Sequence, residues 1–204
     1  MSEEKEKTIL GEILDWVYCF ALAVVITLLV KNLFFSTTIV RQESMVPTLQ
    51  DGNILLINRF AQVIGTPLET GDIVVLEAPL DVATESDYAA YSEDSLWTKF
   101  LKLFKKTLYI KRVVGTPGDR LVVDGRVVSI NGEILDEYYI NPDRYPNDIN
   151  NDIDIEIPEG YVFCMGDNRD RSKDSRAFGL IPINKIEGKA TIRLFPFDKF
   201  GNID

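Results

Sequence analysis

The chain has no histidine among its 204 residues. That absence excludes a Ser-His-Asp triad, a Cys-His pair and any imidazole base, so a proton acceptor must be Lys, Asp, Glu or an amine. Cysteine is scarce too: Cys19 and Cys164 are the only two, and without histidine the usual zinc-ligand spacings cannot be written. No metal and no other cofactor is expected. The two thiols are expected to stay unpaired, since Cys19 sits inside an apolar run and Cys164 lies far along the chain in an apolar strand. Positive charge is in deficit, 22 Lys and Arg against 32 Asp and Glu, for a net charge of -10. Nucleic-acid binding rests on concentrated Lys and Arg, so nucleic acid is not an expected partner.

What the chain does have is apolar material, 46% of its residues, sufficient at this length for a real core. The run WVYCFALAVVITLLV, Trp16 to Val30, contains no charge. It extends through Phe35 if Lys31 snorkels to an interface, reaching the roughly 20 residues that span a bilayer. The expected organisation is a short N-terminal tail over 1–12, a transmembrane helix over 13–35 and an extracytoplasmic domain over 36–204. A cleaved secretory signal is the competing reading; it calls for a basic leader and small residues at a cleavage site, whereas FFSTTIV follows the run here. Lysines and arginines are nearly balanced across the helix, Lys5 and Lys7 before it, Lys31 and Arg41 after it. Charge alone therefore leaves the orientation open.

Beyond the helix the pattern is strand-like. NILLINR, DIVVLEA, LYIKRVV, LVV, RVVSI, YVFCM and ATIRLF are mostly rich in Val and Ile and separated by Gly, Pro, Asn and Asp. The expected fold is mainly β: an antiparallel catalytic domain with a smaller β subdomain over 119–160. Asp124-Gly125 and Asn131-Gly132 are two-residue hairpin signals that make 119–135 a meander. The acidic, Asn-rich stretch 141–159 reads as a surface connection of that subdomain. SLWTKFLKLFKKTL, Ser95 to Leu108, places its apolar residues within an arc of about 160° and its lysines opposite, so an amphipathic helix is expected there. Such a helix packs on its own domain, lies in a membrane interface or binds a partner.

Chemistry is suggested first by RQESMVPTLQDG, Arg41 to Gly52, which places Ser44 just past the apolar run. A serine hydroxyl is a weak nucleophile and needs a base within reach. Lysine can serve once burial among apolar groups lowers its pKa. Lys111 in LYIKRVV lies among Leu108, Tyr109, Ile110, Val113 and Val114; alternation puts it on one face with Tyr109 and Val113, and Arg112 on the other. A strand lysine more often guards an edge or faces solvent.

Three stretches taken together go further. SMVPTL (Ser44 to Leu49), YIKRVVGTPGD (Tyr109 to Asp119) and MGDNRDRSKDSRAFG (Met165 to Gly179) resemble, in this order, the signature regions of the bacterial type I signal peptidases of peptidase family S26. GDIVVLEAP (Gly71 to Pro79) and IEGKA (Ile186 to Ala190) are similar to two further segments of that family. The resemblance implies a membrane-bound serine endopeptidase that removes signal peptides from exported precursors on the outer side of the cell membrane. Its partners would be those signal peptides and the lipid bilayer, with the translocation machinery as a further candidate.

By motif position the resemblance makes Ser44 the nucleophile and Lys111 the general base. Ser172 matches the serine that bonds and orients the lysine amine, Asp174 and Arg176 match an ion pair that holds the loop, and Asp167 and Arg169 are further supports. Read without the resemblance, the same stretch is a polar turn with solvated charges. The Ser44 N–H is expected as one oxyanion donor. Gln42 stands where many relatives carry Ser or Gly, so the second donor is open between its side-chain amide and none. Relatives bind substrate as an added strand, with shallow apolar pockets for small side chains. Val40, Met45, Leu49, Tyr109 and Ile110 are the candidate walls, against a reading as ordinary core. Two other functions compete: a self-cleaving repressor-type Ser-Lys peptidase, in which a DNA-binding module stands where this chain has its apolar helix, and a catalytically silent membrane-tethered binding protein.

Overall fold

The computed structural model describes residues 9–60, 64–77, 108–141 and 152–203. Helix α1 covers Ile9–Phe34, 26 residues, or about 39 Å at the usual rise. Its stretch Gly11–Leu28 is long and apolar enough to cross a membrane, and none of it is buried in the protein. The expected helix began at Ile13 and ended at Phe35; the observed one starts four residues earlier and stops one residue sooner. At Phe35 the chain passes directly into strand β1 (Phe35–Ile39), where two threonines and an isoleucine favour extended backbone. The Phe34 carbonyl, an orphan at the helix end, accepts the Arg59 N–H at 2.8 Å, and the Phe34 ring meets Phe60 edge to face.

The remaining strands are β2 (Ile54–Asn58), β3 (Ile73–Glu77), β4 (Leu108–Gly115), β5 (Arg120–Asp124), β6 (Val127–Ile130), β7 (Glu133–Ile134), β8 (Ile153–Glu156), β9 (Tyr161–Met165), β10 (Ile181–Pro182), β11 (Ile186–Phe195) and β12 (Gly201–Asn202). A one-turn helix, α2 (Ser175–Phe178), lies between β9 and β10. The larger sheet runs β1-β2-β11-β3-β4-β9-β10, with β12 against β11; the smaller runs β7-β6-β5-β8. Every pairing among the described residues is antiparallel. The mainly β expectation holds.

β11 joins the halves of the larger sheet: its start pairs with β3 and its end with β2. Irregularities between Ile186 and Gly188, Ala190 and Ile192, and Arg193 and Phe195 bend it, and such bulges increase local twist. β3 consequently has core on both faces. Ile73 and Val75 join Val40, Met45, Leu49, Leu55, Ile57, Ala190 and Ile203 in one cluster. Val74 and Leu76 join Val113, Val162, Cys164, Ile181 and Ile186 in another. This two-sided burial explains why DIVVLEA reads as a continuous apolar run.

The smaller sheet is inserted between β4 and β9. Its ends are stitched where the chain leaves and returns: the Gly118 N–H donates to the Ile157 carbonyl, and the Ile157 N–H to the Asp119 carbonyl. Leu121, Val123, Val128 and Ile157 pack against Val114, Phe163 and Met165, which carry β4 and β9 of the larger sheet. The expected meander is present, but its first loop is Gly125-Arg126 rather than Asp124-Gly125, because Asp124 pairs with Val127 and Gly125 supplies the positive φ of 54°. Asn131-Gly132 forms its loop as expected, both residues at positive φ.

The reading of 141–159 as only a surface connection is corrected. Ile153–Glu156 is strand β8, paired with β5. Its Ile-Asp-Ile-Glu alternation turns isoleucines to the core and acids outward, and Arg120 pairs with Asp154 across it; acidic composition concealed the period of two. The helix expected over 95–108 lies outside the described residues except for Leu108, which opens β4. Cys19 is exposed, Cys164 is buried, and both are free thiols.

Leu121 is fully buried, whereas Val127 in the same sheet is half exposed. Leu121→Ala is expected to lower unfolding free energy by about 2–5 kcal/mol and Val127→Ala by less than about 0.5 kcal/mol, measured by denaturant titration in detergent. Equal small effects would mean that the smaller sheet is not packed on the larger one.

Candidate active site

The Ser44 loop is closed at its neck by two backbone hydrogen bonds, Val40 N–H to Asn53 and Gly52 N–H to Val40. Met45 and Leu49 are fully buried and pin the loop to the core, while Ser44 between them and the surface stays half-buried. The far side of the loop is held by the turn after β9. The Asn168 N–H donates to the Ser44 carbonyl at 3.0 Å, and the Asn168 side-chain amide donates to the Glu43 carbonyl at 2.9 Å. Arg193 on β11 holds the Thr48 carbonyl at 2.7 Å.

β4 lies between β3 and β9, with Lys111 opposite Val74 and Arg112 opposite Met165. Lys111 is only 3% exposed. Its Nζ lies 2.8 Å from Ser44 Oγ and 3.1 Å from the Ile110 carbonyl, with the Tyr109 ring centre 5.3 Å away. Burial is the main cause that brings its pKa down to about 8; the Asp174 carboxylate pulls the other way, and the Arg176 guanidinium assists the lowering. Cys164, across the strand pair, is also desolvated, and its thiol is pushed up, first by burial and then by Asp174. The wall beside the amine is thus apolar or neutral.

Asp174 is fully buried and caps α2, accepting the Arg176 N–H. Burial raises its pKa, but the bidentate Arg176 guanidinium and the Gly166 N–H outweigh that and hold it below the usual carboxylate range. Asp167 accepts two hydrogen bonds from Arg112, at 2.9 and 2.8 Å, and one from Thr48. Arg112 also donates to the Gly71 carbonyl and lies 4.0 Å from the Tyr139 ring centre. Both strand cations are therefore answered from within the protein, Lys111 by apolar walls and Arg112 by a carboxylate.

Not every expected residue falls where it was assigned. Ser172 Oγ is buried against Gly166 and makes no hydrogen bond to Lys111; its hydroxyl bears instead on Asp174, whose carboxyl it helps to hold low. The amine is engaged by Ser44 and a backbone carbonyl instead. Of the five candidate pocket residues, Val40, Met45 and Leu49 are buried in one cluster, against which Ile110 packs. Tyr109 and Ile110 keep partial exposure beside Lys111. Gln42 is exposed at φ 83°, a region that L-residues with side chains rarely occupy, and its backbone N–H is taken by Asp51 at 3.2 Å.

Sequence reasoning did not single out Asn168, Arg193 or Glu137. Asn168 lay within a motif already quoted, and its role needs the loop contact. Glu137, which pairs with Arg169, had only the stretch DEYYI to mark it.

The comparisons with known proteins bear on this arrangement. The family model described as "Signal peptidase, peptidase S26" matches residues 13–195, and the chain belongs to that family. Within it, similar curated proteins include type I enzymes. "Signal peptidase I" of Bacillus caldolyticus is 34% identical over 210 aligned positions, covering 98% of each chain. "Signal peptidase IB" of Staphylococcus aureus (strain COL) is 32% identical and covers 93% of each. A solved signal peptidase I from Enterococcus faecalis is 25% identical, covers 61% of this chain and 97% of its own, and gives a TM-score of 0.43.

Gly166 is the tightest point of the site: a Cβ there would lie 2.5 Å from the Ser44 carbonyl oxygen and also strike Ser172. Gly166→Ala is expected to cost about 1–3 kcal/mol, the usual penalty of overpacking, read as a lower midpoint in urea. An unchanged midpoint would mean that the serine loop gives way freely and is not clamped.

Proposed function

We propose that Ser44 and Lys111 form the catalytic dyad of a membrane-bound serine endopeptidase that removes N-terminal signal peptides from exported precursors. Family membership supplies the reaction class. The observation that carries the residue assignment is the 2.8 Å approach of a desolvated Lys111 amine to a half-buried serine hydroxyl.

With its pKa near 8, about one Lys111 in ten is neutral at pH 7, against about one in three thousand for an unperturbed amine. The neutral amine accepts the Ser44 proton as Oγ attacks the scissile carbonyl carbon. Negative charge then develops on the carbonyl oxygen, with the Ser44 backbone N–H as the first donor and the Gln42 amide as the second. Collapse breaks the C–N bond, Lys111 returns its proton to the leaving amine, and an ester to Ser44 remains. Water attacks that ester while Lys111 takes its proton. The ester C–O bond to Ser44 then breaks, Lys111 gives that proton to Oγ, and release of the acid restores the serine and the neutral amine.

Asp167, Asp174 and Arg176 act through position and charge. Arg176 neutralises Asp174, the carboxylate that would draw a proton back onto Lys111 most strongly. Substrate is read as an extended strand beside Tyr109 and Ile110, with β-type main-chain pairing. In this reading α1 spans the cell membrane, 1–12 is the cytoplasmic tail and 36–204 works on the extracytoplasmic side, next to the translocation machinery. The family match gives the repressor-type and silent-binder alternatives no support.

Ser44→Ala and Lys111→Ala are expected to abolish cleavage of a precursor with small residues before the cut, assayed with detergent-solubilised full-length protein; wild-type processing by either variant removes the dyad. Protonated Lys111 cannot accept a proton, so kcat should rise about tenfold per pH unit up to a limb near 8. Arg176→Gln should move that limb to higher pH, because Asp174 then pulls on the amine unopposed. A limb that stays in place or moves down contradicts this electrostatic role. Gln42→Ala should lower kcat roughly ten- to a hundredfold, toward the lower end for a lost oxyanion donor, with KM little changed; full turnover takes Gln42 out of the oxyanion hole.

A further inference from the structure

Two arginines flank the turn that holds the serine loop, and both are met by one short segment of the smaller sheet. After β7 the chain is fixed by the Leu135 N–H donating to the Val128 carbonyl. It then presents Glu137 and Tyr139 from a turn closed by the Ile140 N–H on the Glu137 carbonyl. The Glu137 carboxylate accepts both terminal nitrogens of Arg169, Nη1 at 3.0 Å and Nη2 at closer range. The Tyr139 hydroxyl donates to the same carboxylate at 3.2 Å, and the Tyr139 ring covers the Arg112 guanidinium at 4.0 Å.

The pair is secluded, the Arg169 side chain 1% exposed and that of Glu137 8%. Among the described residues, neither hydrogen-bonds to Ser44 or Lys111. Arg169, however, is wired into the turn: its Nε donates to the Gly166 carbonyl at 3.1 Å, and its own carbonyl accepts from Arg176 at 2.9 Å. Between those two anchors stand Asp167 and Asn168, which hold Thr48 and the Ser44 and Glu43 carbonyls. Tyr139 meanwhile covers Arg112, the partner of Asp167. Burial and the Glu137 carboxylate push the Tyr139 phenol up, so it stays a donor.

We infer that Glu137 is a positioning residue for the peptidase reaction, fixing from the smaller sheet the 166–169 turn and through it the Ser44 loop relative to Lys111. A buried ion pair contributes little net stability but leaves a costly lone charge when one partner is lost. Its worth here lies in geometry. A dyad that depends on one 2.8 Å approach is sensitive to shifts of a fraction of an ångström, and misplacement of about 1 Å can cost on the order of 10²-fold in rate. The inference rests on the proposed Ser44-Lys111 dyad.

The test uses detergent-solubilised full-length protein carrying Glu137→Gln, which keeps shape and removes charge, and Glu137→Asp, which keeps charge and shortens the reach. Each is measured for kcat and KM on the precursor and for cooperative melting. The expected result for the variants that melt cooperatively is a kcat loss of tenfold or more with KM within about twofold. Glu137→Gln combined with Arg169→Gln should be no slower than Arg169→Gln alone, because both act through one pair. Wild-type kcat in either folded Glu137 variant, a loss confined to KM, or multiplying effects in the double variant overturns the inference. Lys111→Ala, run alongside, separates the two readings. If it is inactive while Glu137→Asp retains wild-type kcat, only the positioning role fails; if it is active, the dyad fails and this inference with it.

Discussion

Desolvation of a single amine is the constraint around which the site is arranged. Lys111 reaches its position because β4 runs between β3 and β9, and both neighbours present apolar side chains toward it. A displacement of its pKa from 10.5 to about 8 corresponds to a penalty on the order of 3 kcal/mol on the charged form. The fold sustains that penalty through the packing of Val74, Val113 and Cys164. A more hydrated β4 would leave the lysine a conventional cation and the serine without an acceptor.

Charges close to that amine have to be cancelled in place, and this accounts for the density of buried arginine-carboxylate pairs. Arg112 with Asp167, Arg176 with Asp174 and Arg169 with Glu137 each match one positive and one negative group out of contact with water. Such pairs are poor sources of stability, since desolvation consumes most of the Coulombic gain. They are good at fixing direction. Bidentate guanidinium-carboxylate contacts set both distance and plane, and the backbone between them, residues 166–169, carries the hydrogen bonds that hold the serine loop.

The sequence revealed strands more readily than the contacts between them. NILLINR, DIVVLEA, LYIKRVV and YVFCM announced β2, β3, β4 and β9 because β-branched residues and punctuating Gly, Asp and Asn are local signals. β8 was hidden by its acids, and β1 by its continuity with the apolar helix. At the site, motif order pointed to Ser44 and Lys111, and the structure brings them together. It could not say that Met45 and Leu49 point inward, that Ser172 lies against Gly166, or that Glu137 reaches Arg169. The last of these depends on a loop and a second sheet meeting across 32 positions of sequence, a relation that no local pattern encodes.

The passage from α1 into β1 has no linker: Phe34 ends the helix, Phe35 begins the strand, and β2 and the Phe34-Phe60 contact brace the joint. Five residues of strand, about 17 Å, then separate the helix end from the start of the serine loop. In the proposed membrane-anchored reading, a joint this short would set Ser44 at one working height above the lipid. Peptide bonds would be selected partly by their elevation, before any side chain is examined, and a chain emerging from the bilayer would meet the serine at one level only.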